Sequence, residues 1–187
     1  MRRASIAFGL ALAGLLAGCG KPPAPAPQAT VSIRDLMLTM VDPSADALWA
    51  SVGSTVSAKG SVDLQPRTEA EWQAVRAEAT LLTEAPVLLS APGRQVALPG
   101  QKTGDADVPG IQAPAVIQAQ IEADRPKFEG LALGLQTAGR KALAAADAKD
   151  PVALLEAGAA LDEACEACHH TYWYPLTPKP KVPRGQS

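Results

Sequence analysis

The chain has 187 residues, 17 basic and 19 acidic side chains, 4% aromatics and 47% hydrophobic residues. Without Arg2 and Arg3, which open the chain, the balance is 15 basic to 19 acidic, and no basic stripe runs along the sequence, so nucleic acid is not an expected partner. Abundant alanine and scarce β-branched runs argue against a sheet protein and for closely packed helices.

In chain order, Arg2 and Arg3 precede a short apolar run, Ile6 to Leu16, which closes on Leu16-Ala17-Gly18-Cys19. A spanning helix takes roughly 20 apolar residues, so this run reads as an export signal rather than a membrane helix. Its ending resembles the bacterial lipobox. That resemblance implies a signal peptide over residues 1–18 and cleavage before Cys19, which then carries the lipid. Two or more acyl chains anchor a protein to a membrane lastingly. Gly20, rather than aspartate, after the lipidated cysteine slightly favours the outer membrane. The proline–alanine alternation that follows makes residues 19–30 a semi-rigid spacer. A folded domain is expected over residues 31–175, and a proline-rich disordered tail over 176–187.

Four helical segments are predicted in that domain. The first starts near Val31 and carries Ile33, Met37 and Met40 at helical spacing. Asp42-Pro43 reads as a cap followed by proline in a new first turn, so a kinked or two-piece helix is expected before Leu48 and Trp49. The second opens on Thr68 and Glu71, a capping box, and shows Trp72, Val75, Ala79 and Leu82 on one face until Pro86, which is expected to end or bend it. Residues 90–113 are rich in proline and glycine and predict a long loop, either a surface excursion or a lid. The third segment keeps a seam from Ile117 through Ile121, Phe128, Leu131 and Leu135 to Ala145, with a kink or restart at Pro126. Asp124 on that seam is a cap, a site-edge acid or a solvent-facing side chain. The fourth follows Asp150-Pro151, and Leu154, Gly158, Leu161, Cys165 and Cys168 step along one face. Such segments predict an all-α chain, a four-helix bundle.

The last seam runs into Cys165-Glu166-Ala167-Cys168-His169, the C-x-x-C-H pattern of c-type haem attachment. Residues three and four apart share a helix face, so both thiols can meet the vinyl groups of one porphyrin while His169 reaches its iron. A disulfide or metal site is the competing use of the two cysteines. Export and haem attachment agree, because c-type haem is attached outside the bacterial cytoplasm. One covalent haem c is therefore the expected cofactor. His170 follows directly and points roughly 100° away, so it cannot serve the same iron from the other side.

With the motif at the C-terminal end of the last predicted helix, the chain resembles the class II cytochromes c, the cytochrome c-prime and cytochrome c-556 group. The likeness is strongest from Phe128 to Tyr174, where helix, Lys149-Asp150 turn, helix and motif follow in that order. It implies a haem near one end of the bundle, between the first and last helices. In c-556-like members a methionine of the first helix is the sixth ligand, whereas c-prime members leave the iron five-coordinate. Met37 is the position this implies, with Met40 and no sixth ligand as the alternatives. Arg34 resembles the family's propionate-contacting arginine. Trp49, Tyr172, Trp173 and Tyr174 either pack internally or cover the haem edge. The expectation is a periplasm-facing, membrane-anchored electron carrier that meets periplasmic redox proteins; the alternative is binding or sensing of nitric oxide or carbon monoxide at an open iron. Enzymatic chemistry is not expected, since both histidines sit together at the motif. The family also implies a possible homodimer through the first two helices.

Overall fold

The computed structural model describes residues 30–175; the signal segment, Cys19, most of the spacer and the tail lie outside the described residues. The described residues are mostly helical, with one two-stranded sheet among them. Among the described residues no helix is long and apolar enough to cross a membrane.

The first helix is continuous but not uniform. It comprises α1 (Ile33–Leu36), a π-helical segment (Met37–Val41) and α2 (Asp42–Ser51). Ser32 and Asp35 form a capping box at its start: the Asp35 amide donates to Ser32 Oγ, and Asp35 Oδ2 accepts from the Ser32 amide, both at 3.1 Å. The predicted break at Asp42-Pro43 does not occur. Asp42 makes no side-chain cap; its amide donates to the Met37 carbonyl, and the wider turn carries the chain into α2 with Pro43 in its first turn. Proline lacks an N–H and crowds the preceding turn, and a π-turn is one way a helix absorbs that.

A hairpin follows, β1 (Gly53–Ser57) paired antiparallel with β2 (Gly60–Leu64) in the register Ser57↔Gly60 to Gly53↔Leu64. Nearly every residue of it is exposed, so it has no apolar face by which the sequence could announce it. The chain then enters α3 (Glu69–Leu89) through the expected Thr68–Glu71 capping box. Trp72, Val75, Ala79 and Leu82 are buried as predicted. Pro86 does not end the helix, which continues to Leu89 with the proline itself buried. The Leu82 carbonyl, four residues earlier, is the one deprived of its usual N–H partner.

Residues 90–113 contain no helix or strand, as expected. The third predicted segment is two helices, α4 (Pro114–Ala123) and α5 (Arg125–Ala148). Asp124 is the cap between them, accepting from the Lys127 amide at 3.2 Å. Lys149 in the left-handed conformation (φ 53°) ends α5, and Asp150 caps α6 (Pro151–Tyr172) by accepting from the Val152 and Ala153 amides.

α5 packs along α3 on one side and α6 on the other, and the first helix contacts α3 and α6. At Gly139 the α5 backbone closely approaches that of α3. A Cβ built there would meet the Leu82 carbonyl carbon and the Thr83 nitrogen at 2.9 Å. That peptide is the one left underbonded by Pro86, and Gln136 Nε2 donates to the adjacent Thr83 carbonyl at 3.1 Å. Ala138, Ala142, Ala145 and Ala146 continue the same small-residue seam. Gly139→Ala must therefore push two backbones apart and is expected to cost about 1–3 kcal/mol in urea unfolding. Gly134→Ala, on the same helix with nothing near its Cβ position, is expected instead to gain about 0.5–1 kcal/mol from helix propensity.

Candidate functional site

Toward the N-terminal end of α5 the seam changes from alanine to Leu135, Leu131 and Phe128, and the helices leave a cleft between them. It holds a cavity of about 220 Å³ and is partly open to solvent. The walls are largely apolar: Ile117 and Ile121 from α4, Phe128, Leu131 and Leu135 from α5, Leu89 from α3.

α6 contributes Ala164, Cys168, His169 and Tyr172 to the same walls, and the first helix contributes Ile33, Arg34, Met37, Leu38 and Asp42. Cys165 lies one turn before Cys168, half-buried and outside the lining. Both cysteines are free thiols. Burial and the nearby Asp42 and Asp162 carboxylates push the Cys165 thiol up to about 12, and burial pushes Cys168 up to about 11. Burial also lowers the His169 imidazole below its ordinary value, which favours the neutral ring.

The π-segment decides which methionine borders the cleft. Both methionines pack half-buried against the core, and of the two Met37 lines the cleft. Five residues subtend about 140° beyond one turn of an α-helix, but a π-turn closes over that same interval. Met37 and Asp42 thus line one cleft, on a wall shared with Leu38. Arg34, one turn earlier, presents a guanidinium whose Nε is buried without a hydrogen-bond partner. Its Nη1 stands 3.7 Å from Asp35 Oδ1.

The loop over residues 90–113 is held against this site. The Gln95 and Val96 carbonyls accept from the Ile33 and Arg34 amides, both at 2.9 Å, at the entrance to the first helix. Gln101 bonds Asp35 Oδ1 through Nε2 at 2.9 Å. At the far end, the Gln112 amide donates to the Trp173 carbonyl at 2.8 Å, and its Nε2 to the Tyr172 carbonyl at 2.6 Å. Trp173 Nε1 donates to the Gly104 carbonyl, and the indole sits so close that a Cβ at Gly104 would meet it at 3.3 Å. Thr103 and Gly104 thereby become part of the cleft wall. The loop is tied to the cleft at both ends, while residues 104–110 between them are exposed.

The aromatic residues divide. Tyr172 and Trp173 border the cleft, and Trp173 meets the His169 ring edge-on at 4.9 Å. Tyr174 leans on the same histidine at 5.7 Å and donates through its hydroxyl to Glu166 at 2.6 Å. Trp49 lies elsewhere, with its Nε1 donating to the Gly158 carbonyl at 3.0 Å across the α2–α6 contact. His170 points away from the cleft lining and pairs through Nε2 with Glu166 at 2.7 Å. Sequence reasoning passed over Gln101, Gln112 and Thr103, because polar loop residues carry no periodic signal.

Gln112→Ala removes the side-chain bonds to Tyr172 and Gln120 together. Amide exchange in residues 98–113 is expected to accelerate while α3 and α5 stay protected, with a stability loss of about 1–2 kcal/mol. Comparisons with protein-family models, with curated proteins and with solved structures find no match for this chain.

Proposed function

We propose that this chain is an exported, lipid-anchored monohaem cytochrome of the class II kind, a four-helix bundle that carries single electrons. The four members are the first helix, α3, α5 and α6. The observation that carries the reading is the meeting of the C-x-x-C-H segment with Met37 at one apolar cleft: Cys168 and His169 border it from α6 and Met37 from the first helix.

The residues present fit a c-type haem. The thiols are free and one helical turn apart, the walls are apolar, and Arg34 offers a buried donor with no acceptor of its own. When bound, the haem supplies reversible one-electron exchange, at a potential that methionine ligation raises. Cys165 and Cys168 would hold the group by thioether bonds, so that it stays attached if a ligand to the iron exchanges. His169 would ligate the iron, and burial favours its neutral imidazole, whose lone pair is then available. Trp173 packs against that ring and fixes its orientation. Met37 would supply its thioether sulfur to the iron, and Arg34 would compensate a propionate. The loop and Trp173 shield one side from water.

With His170 committed to Glu166, neither histidine is left to act as a distal acid–base group, which favours electron transfer over catalysis. The lipid on Cys19, with Gly20 after it, would tether the domain to the periplasmic face of the outer membrane, within reach of soluble redox proteins.

Optical spectra of the holoprotein with and without carbon monoxide test this reading. The expected wild-type spectrum is low-spin with a methionine–iron charge-transfer band and does not respond to the gas. Met37→Ala is expected to turn high-spin, bind carbon monoxide and fall in potential. An unchanged Met37→Ala spectrum would remove Met37 as ligand. A wild-type protein that already binds the gas would make the five-coordinate, gas-binding alternative the better reading.

A further inference from the structure

Tyr172 is a polar group that the haem reading leaves without a task. It stands in the last turn of α6, three residues after His169, and only 6% of its surface is exposed. Its ring meets Phe128 edge-on at 5.9 Å, and its backbone carbonyl is taken by Gln112. The hydroxyl, however, touches neither solvent nor any hydrogen-bond partner. A buried hydroxyl without a partner is a net cost, and a phenylalanine would make the same ring contacts without it.

The cleft walls hold a second such atom, Arg34 Nε. Both orphan groups can donate, and they come from different helices bordering one cleft. The acids nearby are committed or turned elsewhere: Asp124 caps α5, and Asp42, the one carboxylate in the walls, bonds neither donor. Acceptors for both donors can come from an occupant of the cleft that carries oxygen. In a haem the pyrrole nitrogens are spent on iron, which leaves the propionate carboxylates as the acceptors.

We propose that Tyr172 is a haem-positioning residue whose hydroxyl donates a hydrogen bond to a propionate of the haem. The inference rests on the haem reading above. It assigns the propionate edge two donors from opposite ends of the chain, Arg34 from the first helix and Tyr172 from the last. The α6 residue would set how deeply the macrocycle seats beside His169.

The test uses holoprotein exported with its own leader. Tyr172→Phe keeps the ring and deletes the donor. With the hydroxyl gone, the ionised propionate loses support, so the pH-dependent limb of the midpoint potential is expected to move upward by about half a unit or more. A purely packing role for the ring would leave that limb in place. Should the variant fail to fold or to take up haem, the reduced wild-type protein answers instead: nuclear Overhauser contacts are expected between Tyr172 and the propionate methylene protons. Haem-bearing protein lacking those contacts, or a Tyr172→Phe holoprotein with an unshifted limb, overturns the Tyr172 assignment alone. Wild-type protein carrying no covalent haem overturns the functional reading as well.

Discussion

The close approach of α3 and α5 at Gly139 is the constraint on which the rest of this architecture depends. A glycine facing the Leu82–Thr83 peptide, followed by Ala142, Ala145 and Ala146, draws the helices together at the end where the Lys149-Asp150 turn joins α5 to α6. Interiors pack to a nearly fixed density, so helices held close by small residues at one end need larger side chains, or a ligand, at the other. At the other end stand Phe128, Leu131 and Leu135, which border a cleft. Because α6 returns antiparallel from a short turn, its last residues, Cys165 to Tyr172, arrive at that open end. The gradient from small to large along a single helix thus places the chemistry.

The first helix supplies the opposite wall, and its π-segment adapts it to that task. A regular α-helix through residues 37–42 would turn Met37 and Asp42 to different faces. The segment brings both to the cleft, which Met40 does not line. The entrance of this helix is fixed by the Ser32–Asp35 box and by Gln101. Hydrogen bonds to Asp35 hold its carboxyl below the ordinary aspartate range, so it stays ionised and accepting at neutral pH. The loop that carries Gln101 also binds Trp173 and Tyr172, so the two walls are tied to each other through it.

Much of this was legible in the residues. The Thr68–Glu71 box, the Asp150-Pro151 start and the buried faces of α3 and α6 follow from spacing alone, because caps and 3.6-residue periodicity act locally. The C-x-x-C-H segment stands out by its spacing and carries the proposed function. What escaped were features whose cause lies elsewhere in the fold or whose residues show no pattern. The hairpin exposes both faces and gives no alternation. Asp42-Pro43 resembles a helix start, and only tertiary packing shows that the chain passes through it with a π-turn. Pro86 likewise reads as an ending, yet packing against α5 carries the helix past it to Leu89. The loop's role rests on single polar contacts such as Gln112 with Tyr172, which composition cannot specify.

The central claim, covalent haem on Cys165 and Cys168 beside this cleft, is tested most directly by mass spectrometry. The full chain would be expressed with its leader in a host that attaches c-type haem, and the proteolytic peptide spanning the two cysteines analysed after denaturation. This peptide is expected to carry one haem resistant to denaturant, and Cys165→Ala combined with Cys168→Ala to abolish it. A peptide bearing two free thiols or a disulfide, from cells that load a control c-type cytochrome normally, would rule out covalent haem here.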